Sequence, residues 1–280
     1  MSGKGKNAID MTGGSLWKNI LVFSLPLMMT QMLEVLFNLS DVAIAGKYAD
    51  YIALGAVGST ALLVSLFTGI LIGMGAGVNV RTAHQLGAEK TSGSSETVAR
   101  TVYSGLIVCL IIGIILCLVC NIFARPMLET LKTKDELIES AVLYLKIYAL
   151  GMPAMAVYNF GNGVLSACGE TKKPLVYLSI AGVLNVILNI FFVVVCKKAA
   201  DGVAIASVIA QYLSASMIMC HLLKRKDSCK LRLSNKYFDT SACGGVLMIG
   251  IPTGMQNAIF AVANLFVQTG VNHFDAVMVS

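Results

Sequence analysis

Long, mostly uncharged apolar runs alternate with short polar segments along the whole chain. Seven runs stand out, roughly Trp17–Gly46, Ile52–Val80, Val102–Phe123, Tyr144–Ala167, Leu175–Cys196, Val203–Leu223 and Gly244–Val271. Each is long enough for a helix to cross a hydrocarbon core of about 30 Å. None alternates apolar with polar residues as a barrel strand does, and an open sheet would leave its backbone unsatisfied in lipid. The pattern predicts an all-α integral membrane protein. The first run is long and carries charge, so it is expected to be tilted, bent or partly outside the hydrocarbon. Pro26, Pro153 and Pro252 sit inside runs and are bend candidates. Gly151-Met152-Pro153 is the expected break in the fourth run.

Composition fits lipid as the solvent. Hydrophobic residues make up 56% of the 280 and charged residues 13%, with mean hydropathy +0.77. Soluble domains carry about 25% charged residues. The formal charge of +6 resides largely in the loops, where it reports topology rather than nucleic-acid binding. Fourteen Lys and Arg fall on one side, among them Lys4, Lys6, Arg81, Arg100, Lys172, Lys173 and the Lys224–Lys236 stretch. Six fall on the other: Lys47, Arg125, Lys132, Lys134, Lys197 and Lys198. The positive-inside bias predicts a multi-pass protein of the inner (plasma) membrane with a cytoplasmic N-terminus. Lys146, near the start of the fourth run, is expected to snorkel. Met1–Trp17 is polar and the run after it is too long for a signal core, so no cleavable signal peptide is expected. The eight cysteines, including Cys117-x-x-Cys120, mostly lie in apolar runs and are read as packing thiols without a disulfide framework.

A weak internal repeat suggests the domain organisation. Leu25-Pro26, Met29 and Asn38-Leu39 recur as Ile251-Pro252, Met255 and Asn264-Leu265, always at an offset of 226. Six spans separate the copies, so both begin on the same side, as parallel repeats do. The expected units are a cytoplasmic tail (1–16), a six-helix transmembrane lobe (17–223), a basic cytoplasmic linker (224–243) and the first helix of a truncated second lobe (244–280). Completing that lobe would take on the order of another 170 residues.

Candidate chemistry concentrates on the first run. Gln31, Glu34, Asn38 and Asp41 are spaced by three, four and three residues, which places them on one helix face. An acid in a spanning helix costs about 2.5–3.5 kcal/mol on the insertion scale, so two on one face require a protein or water-filled partner surface. Glu34 lies too deep to be solvated from the interface. Asp41 is either a cation- or proton-binding acid or a residue solvated near the helix end. Asn185 and Asn189, and Ser207 and Gln211, are i, i+4 pairs. They offer oxygens to a hard cation or a protonated carboxyl, or alternatively make ordinary interhelical hydrogen bonds. Gly69, Gly73 and Gly77 recur every four residues, a close-packing signal; no Lys-Ser/Thr follows to make a phosphate loop. His84, His221 and His273 are scattered, Asn38-Leu39-Ser40 is a sequon inside a span, and no hydrolase triad appears, so neither a metal site nor an enzyme is expected.

Four stretches resemble the multidrug and toxic compound extrusion (MATE) transporters, bacterial members in particular. They are Leu25-Pro26-Leu27 through Asn38-Leu39-Ser40-Asp41 and on to Ala53–Gly58, then Gln85-Leu86-Gly87-Ala88-Glu89, then Ser166–Pro174 running on to Asn185 and Asn189, and Gly202–Ser207 through Gln211. The resemblance implies twelve helices in two six-helix lobes around a central cavity. It implies exchange of inward H⁺ or Na⁺ for an exported, usually cationic, organic compound, with no cofactor beyond the coupling ion. Asp41 matches the family's ion-binding acid, and Asn185, Asn189 and Ser207 match positions that complete a cation site in some members. Gln31, Glu34 and Asn38 are then cavity residues. Two departures stand out: some relatives have Asp at the position of Asn189, and a basic residue often stands where this chain has Ser166. Under the 226 offset Asn38 maps to Asn264, but Asp41 maps to Val267 and Glu34 to Phe260, so the acids belong to the first lobe. The implied partners are small cationic molecules, the bilayer and the missing second lobe, with no nucleic acid. A lipid-linked precursor flippase of the same superfamily would favour basic cavity residues to hold phosphate. A non-coupled channel or scaffold would show no gradient dependence.

The charge count makes a topology prediction. With the other accessible cysteines replaced, an impermeant maleimide applied to intact cells should label Lys132→Cys and spare Lys230→Cys. The reverse pattern overturns the orientation.

Overall fold

The computed structural model describes residues 16–92 and 95–271, and every regular element among them is helical. The tail (apart from Leu16), the end of the second-lobe segment beyond Val271, and His273 lie outside the described residues. Helix α1 spans Leu16–Tyr48, α2 Tyr51–Ser92 and α3 Ser95–Thr130. Helices α4 (Asp135–Ala149) and α5 (Met152–Ala167) follow, then α6 (Lys172–Ile190), which continues as a π-helical turn at Phe191–Val195. Helix α7 is Ala200–Lys224 and α8 is Thr240–Val271. Among the described residues, six helices are long and apolar enough to cross a membrane, or seven when the bent pair α4 and α5 is counted as one span.

The bend is 45° and coincides with Gly151 and Pro153. Proline lies in the first turn of α5, where its missing N–H has no intrahelical partner to lose. Pro26 and Pro252 sit instead inside unbroken helices. Near Pro26, Thr30 Oγ1 donates to the Pro26 carbonyl at 2.9 Å.

Several helices overrun the apolar runs. Helix α3 continues past Phe123 through Pro126 to Thr130, so only residues 131–134 separate it from α4. Helix α4 begins at Asp135 rather than Tyr144, with Asp135 and Glu136 in its first turn, where acids complement the helix dipole. Lys146 therefore lies in the last turn of α4, not at the start of the span. Helix α8 begins at Thr240, ahead of Gly244, because Asp239 Oδ1 accepts from the Ser241 amide at 2.8 Å and the Ala242 amide at 3.3 Å. Hydropathy marks hydrocarbon; charged end turns and caps extend helices into water.

Helix α2 is the axis of the bundle, packing most extensively against α8 and α5 and also against α3, α4 and α1. Its glycines explain the closeness. A Cβ on Gly73 would collide with the backbone of Gly254, and one on Gly77 would lie 2.5 Å from the Val246 carbonyl and 2.9 Å from the Gly250 nitrogen. Two glycine-bearing faces thus meet backbone to backbone, the arrangement small residues permit in membranes. Helix α1, by contrast, is thinly covered. Leu21, Leu25, Met28, Met32, Val35 and Leu39 are each about 60% exposed, a surface suited to lipid or another apolar partner.

The linker after α7 is tied to the α5–α6 turn. Glu170, 6% exposed, pairs with Lys173 at 2.7 Å and Arg225 at 3.3 Å, with His221 at 3.6 Å. Arg225 also pairs with Asp227. Burial works against the Glu170 charge, but the Lys173 hydrogen bond and the Arg225, Lys173 and His221 charges outweigh it and hold the carboxyl below its ordinary value of 4.5. Cys168 and Cys229 form a disulfide across 61 residues. This corrects the reading of the cysteines as packing thiols only: both of these lie in turns outside the apolar runs.

Two predictions follow from these contacts. Gly73→Leu should force α2 and α8 apart at a cost of about 3 kcal/mol, lowering the melting temperature in detergent, whereas Gly58→Leu, in open space, should leave it unchanged. In reduced protein, Glu170→Gln should raise tryptic cleavage at Lys226 and Lys230 by leaving Arg225 with one partner fewer, a loss of about 3 kcal/mol. Because the Glu170 pKa is depressed, its contribution is complete above the ordinary carboxyl range and disappears as pH falls through the lowered value. Wild-type protection should therefore persist at pH 5 and fail toward pH 3 on a short, acid-stable protease pulse.

Candidate functional site

Asp41 lies two turns before the end of α1 and is 4% exposed, so it is not solvated at the helix end. Both carboxylate oxygens are occupied. Asn189 Nδ2 donates to Oδ1 at 2.6 Å and Ser207 Oγ donates to Oδ2 at 2.8 Å. Asn185 Nδ2 in turn donates to Ser207 Oγ at 3.1 Å, and Asn189 Nδ2 also lies 3.2 Å from Asn185 Oδ1. Asn185, Asn189 and Ser207 are each 5% exposed or less. Three helices therefore converge: α1 brings the acid, α6 two amides one turn apart, and α7 a hydroxyl. The i, i+4 spacing puts Asn185 and Asn189 on the face of α6 that meets α1 and α7. The π-helical turn begins two residues after Asn189; such turns recur at functional sites.

Within the Asp41 network, one buried atom is unsatisfied. Asn189 Oδ1 has no hydrogen-bond partner. Rotated toward Asp41, it would complete an all-oxygen set with the Asp41 carboxylate and the Asn185 and Ser207 oxygens, the donor type hard monovalent or divalent cations take and a carboxylic proton can donate to. Among the described residues, no group of His, Cys, Asp and Glu is arranged to hold a transition metal.

The network borders a cavity of about 90 Å³ whose walls include Glu34, Asn38, Asp41, Tyr148, Tyr158 and Gln211. Among the described residues, its acidic or basic side chains are Glu34 and Asp41 alone. Gln211 Oε1 is buried without a partner and occupies the space left by Gly151, where a Cβ would collide with it. The break between α4 and α5 thus makes room for a polar wall residue. Tyr158 is held by its hydroxyl, which donates to the Pro174 carbonyl at 3.0 Å.

The stripe on α1 divides. Glu34, Asn38 and Asp41 face this chamber, but Gln31 lines a second cavity of about 280 Å³ between α1, α2 and α5. The four do share a face, yet Gln31 and Asp41 are about 15 Å apart along the axis at 1.5 Å per residue, so one face passes over two cavities. The second cavity includes Asn79, Asn159, Asn162 and Ser166, of which the sequence reading noted only Ser166. The signal was present in the three-and-four spacing from Asn159 to Asn162 to Ser166. Gly69, Gly73 and Gly77 lie away from both chambers, against α8.

The fold and the chain have close counterparts. The probable multidrug resistance protein YpnP of Bacillus subtilis is 26% identical over 275 residues, covering 98% of this chain and 60% of that protein. The probable multidrug resistance protein YoeA of the same organism is 24% identical, covering 94% of this chain and 57% of that protein. The chain thus spans about three fifths of the length of these relatives. Among solved structures, a MATE crystal structure in the bent conformation superposes with TM-score 0.85 at 22% identity, covering 95% of this chain and 58% of that one. Its helices follow the same course as α1–α8. Residues 26–191, well over half of the chain and including Asp41, Asn185 and Asn189, match MatE, and the chain is a member of the MatE family.

Proposed function

We propose that this chain forms the ion-binding lobe of a secondary active transporter that exports organic cations in exchange for H⁺ or Na⁺. The observation that carries the reading is the buried Asp41 with donors from α6 and α7 and an unpartnered amide oxygen beside it. The relatives' description as multidrug resistance proteins supports the cargo class. Two acids and no Lys or Arg in the chamber wall favour cations over anionic lipid-linked precursors.

The chemistry follows from what each side chain can donate or accept. Ionised Asp41 accepts from Asn189 and Ser207 and so holds α1 against α6 and α7. A proton on the carboxyl turns one acceptor into a donor, and the Asn189 amide must rotate to present Oδ1. A Na⁺ ion demands the same rotation, since it coordinates oxygen and not the amide nitrogen. Either ion exchanges charge-assisted hydrogen bonds worth about 1.5–3 kcal/mol each for a different set, which suffices to shift α1 between two packings. The cargo's cation would compete for the same two acids. That is the coupling an antiporter requires, typically 1–3 kcal/mol between sites.

In a transport-competent protein that contains this chain, Asp41→Asn should abolish ethidium efflux driven by an imposed ΔpH or Na⁺ gradient while preserving expression and folding. The amide keeps the shape but cannot exchange a proton and weakens the field on Na⁺. Glu34→Gln should raise the KM for cationic cargo by about tenfold and leave neutral cargo little changed. Wild-type efflux by Asp41→Asn at matched expression would overturn the assignment. Efflux independent of either gradient would instead favour a non-coupled channel.

A further inference from the structure

The larger cavity, between α1, α2 and α5, carries no charge. Its wall is built from Leu27, Met28, Ile72 and Ala76 on the apolar side and from Gln31, Asn79, Asn159, Asn162 and Ser166 on the polar side. We propose that it is a binding site for the uncharged, hydrogen-bonding part of an organic molecule, one presenting amide, carbonyl and hydroxyl groups, and that it does not select on charge.

Size is the first argument. The acid chamber has about 90 Å³ and the amide cavity about 280 Å³. Pockets for drug-sized ligands begin near 300 Å³, while a water needs about 10–15 Å³ of such space. The acid chamber, as it stands, holds several waters or an ion; only the amide cavity approaches the room an organic ligand fills.

Chemistry is the second. A polar group at this depth must be satisfied by protein, water or ligand. The side-chain hydrogen bonds of Asn159 and Ser166 stay within α5: Asn159 Nδ2 donates to the Met155 carbonyl at 3.0 Å, and Ser166 Oγ to Asn162 Oδ1 at 3.3 Å. They therefore do not serve to join α5 to α1 or α2. Asn159 is 4% and Ser166 2% exposed, and Asn79 and Asn162 are half-buried while Gln31 is exposed, so the α5 side of the wall is fixed and the α1 side is open. An apolar wall with a few fixed donors and acceptors is the usual anatomy of a small-molecule site, and Met28, largely exposed on α1, supplies an adaptable rim.

Rigidity is the third. The floor is the crossing of α2 and α5, where a Cβ on Gly75 would come within 2.7 Å of the Asn159 carbonyl and one on Gly163 would collide with the Gly75 carbonyl. Backbones in contact cannot close the cavity by sliding inward. The two chambers also occupy successive turns of the same helices: Gln31 and Glu34 on α1, Ile72 and Thr68 on α2, Asn159 and Met155 on α5. The inference concerns binding alone and holds whether or not Asp41 couples transport to an ion.

The test is equilibrium binding of radiolabelled chloramphenicol, a neutral molecule with one amide and two hydroxyls, to the 280-residue chain in nanodiscs. Saturable binding is expected. Ala76→Phe, which fills the cavity, should weaken it by at least about tenfold, and Asn79→Leu and Asn162→Leu by about fivefold each. Glu34→Gln, in the other chamber, should change it by less than about twofold. Asn162→Asp should add charge selection and tighten ethidium binding by about tenfold. If Ala76→Phe is not monodisperse, the two Asn variants read the same property. Absence of saturable wild-type binding up to about 10 mM, indifference to all three cavity variants, or a loss in Glu34→Gln matching theirs would overturn the proposal.

Discussion

A carboxylate buried among apolar helices must find donors, and in this fold that requirement attaches α1 to the rest of the bundle. Asp41 reaches across 148 residues to Asn189 and 166 residues to Ser207. Apart from Phe37, whose ring packs on Gly182 of α6, little else holds that helix. Only about a tenth of the residues in its most apolar stretch are buried, and most of its large apolar side chains face outward. In lipid, outward-facing leucines and methionines give no net drive toward the bundle, because acyl chains are as apolar as they are. The attachment of α1 therefore depends strongly on a hydrogen-bonded charge, and that charge is one a proton or a cation can alter.

The opposite side of the lobe is built on a different principle. Helices α2 and α8 meet through glycine faces, with Gly73 against Gly254 and Gly77 against Val246 and Gly250. Contacts of this kind depend on dispersion and shape and do not respond to pH or ions. The bundle thus has an inert seam on α2 and a chemically addressable one on α1. A hinge needs that contrast: one part fixed by packing, the other held by interactions whose strength a ligand changes.

The fold was legible because the bilayer imposes a length and an apolarity on each crossing segment, and seven runs met both demands. The ends of α3, α4 and α8 were less legible, since Arg125, Pro126, Asp135 and Asp239 lie where helices emerge into water and hydropathy no longer tracks structure. Asp41, Asn185, Asn189 and Ser207 were readable as polar residues at helical spacing, and the family resemblance joined them before the geometry did. Gln31 was grouped with them because periodicity reports the face of a helix and not the depth along it. Asn79, Asn159 and Asn162 went unread because an asparagine in a span is ordinarily an interhelical hydrogen bond; only the cavity beside them argues otherwise. The Cys168–Cys229 link had no local signature, because nothing in a spacing of 61 residues indicates that two turns meet.

The separation of the two chambers follows from electrostatics. An acid pair attracts cations strongly only where water is scarce, since the attraction falls in proportion to the local dielectric constant. A small chamber keeps that attraction strong but leaves little room for the organic body of a cargo. A cavity large enough for that body admits water, which would screen an acid placed within it. Keeping Glu34 and Asp41 in the smaller space and only amides and a hydroxyl in the larger one avoids both losses. On the proposed reading, the single face of α1 that carries Gln31, Glu34, Asn38 and Asp41 is then a ruler along which charge and bulk are read at different depths.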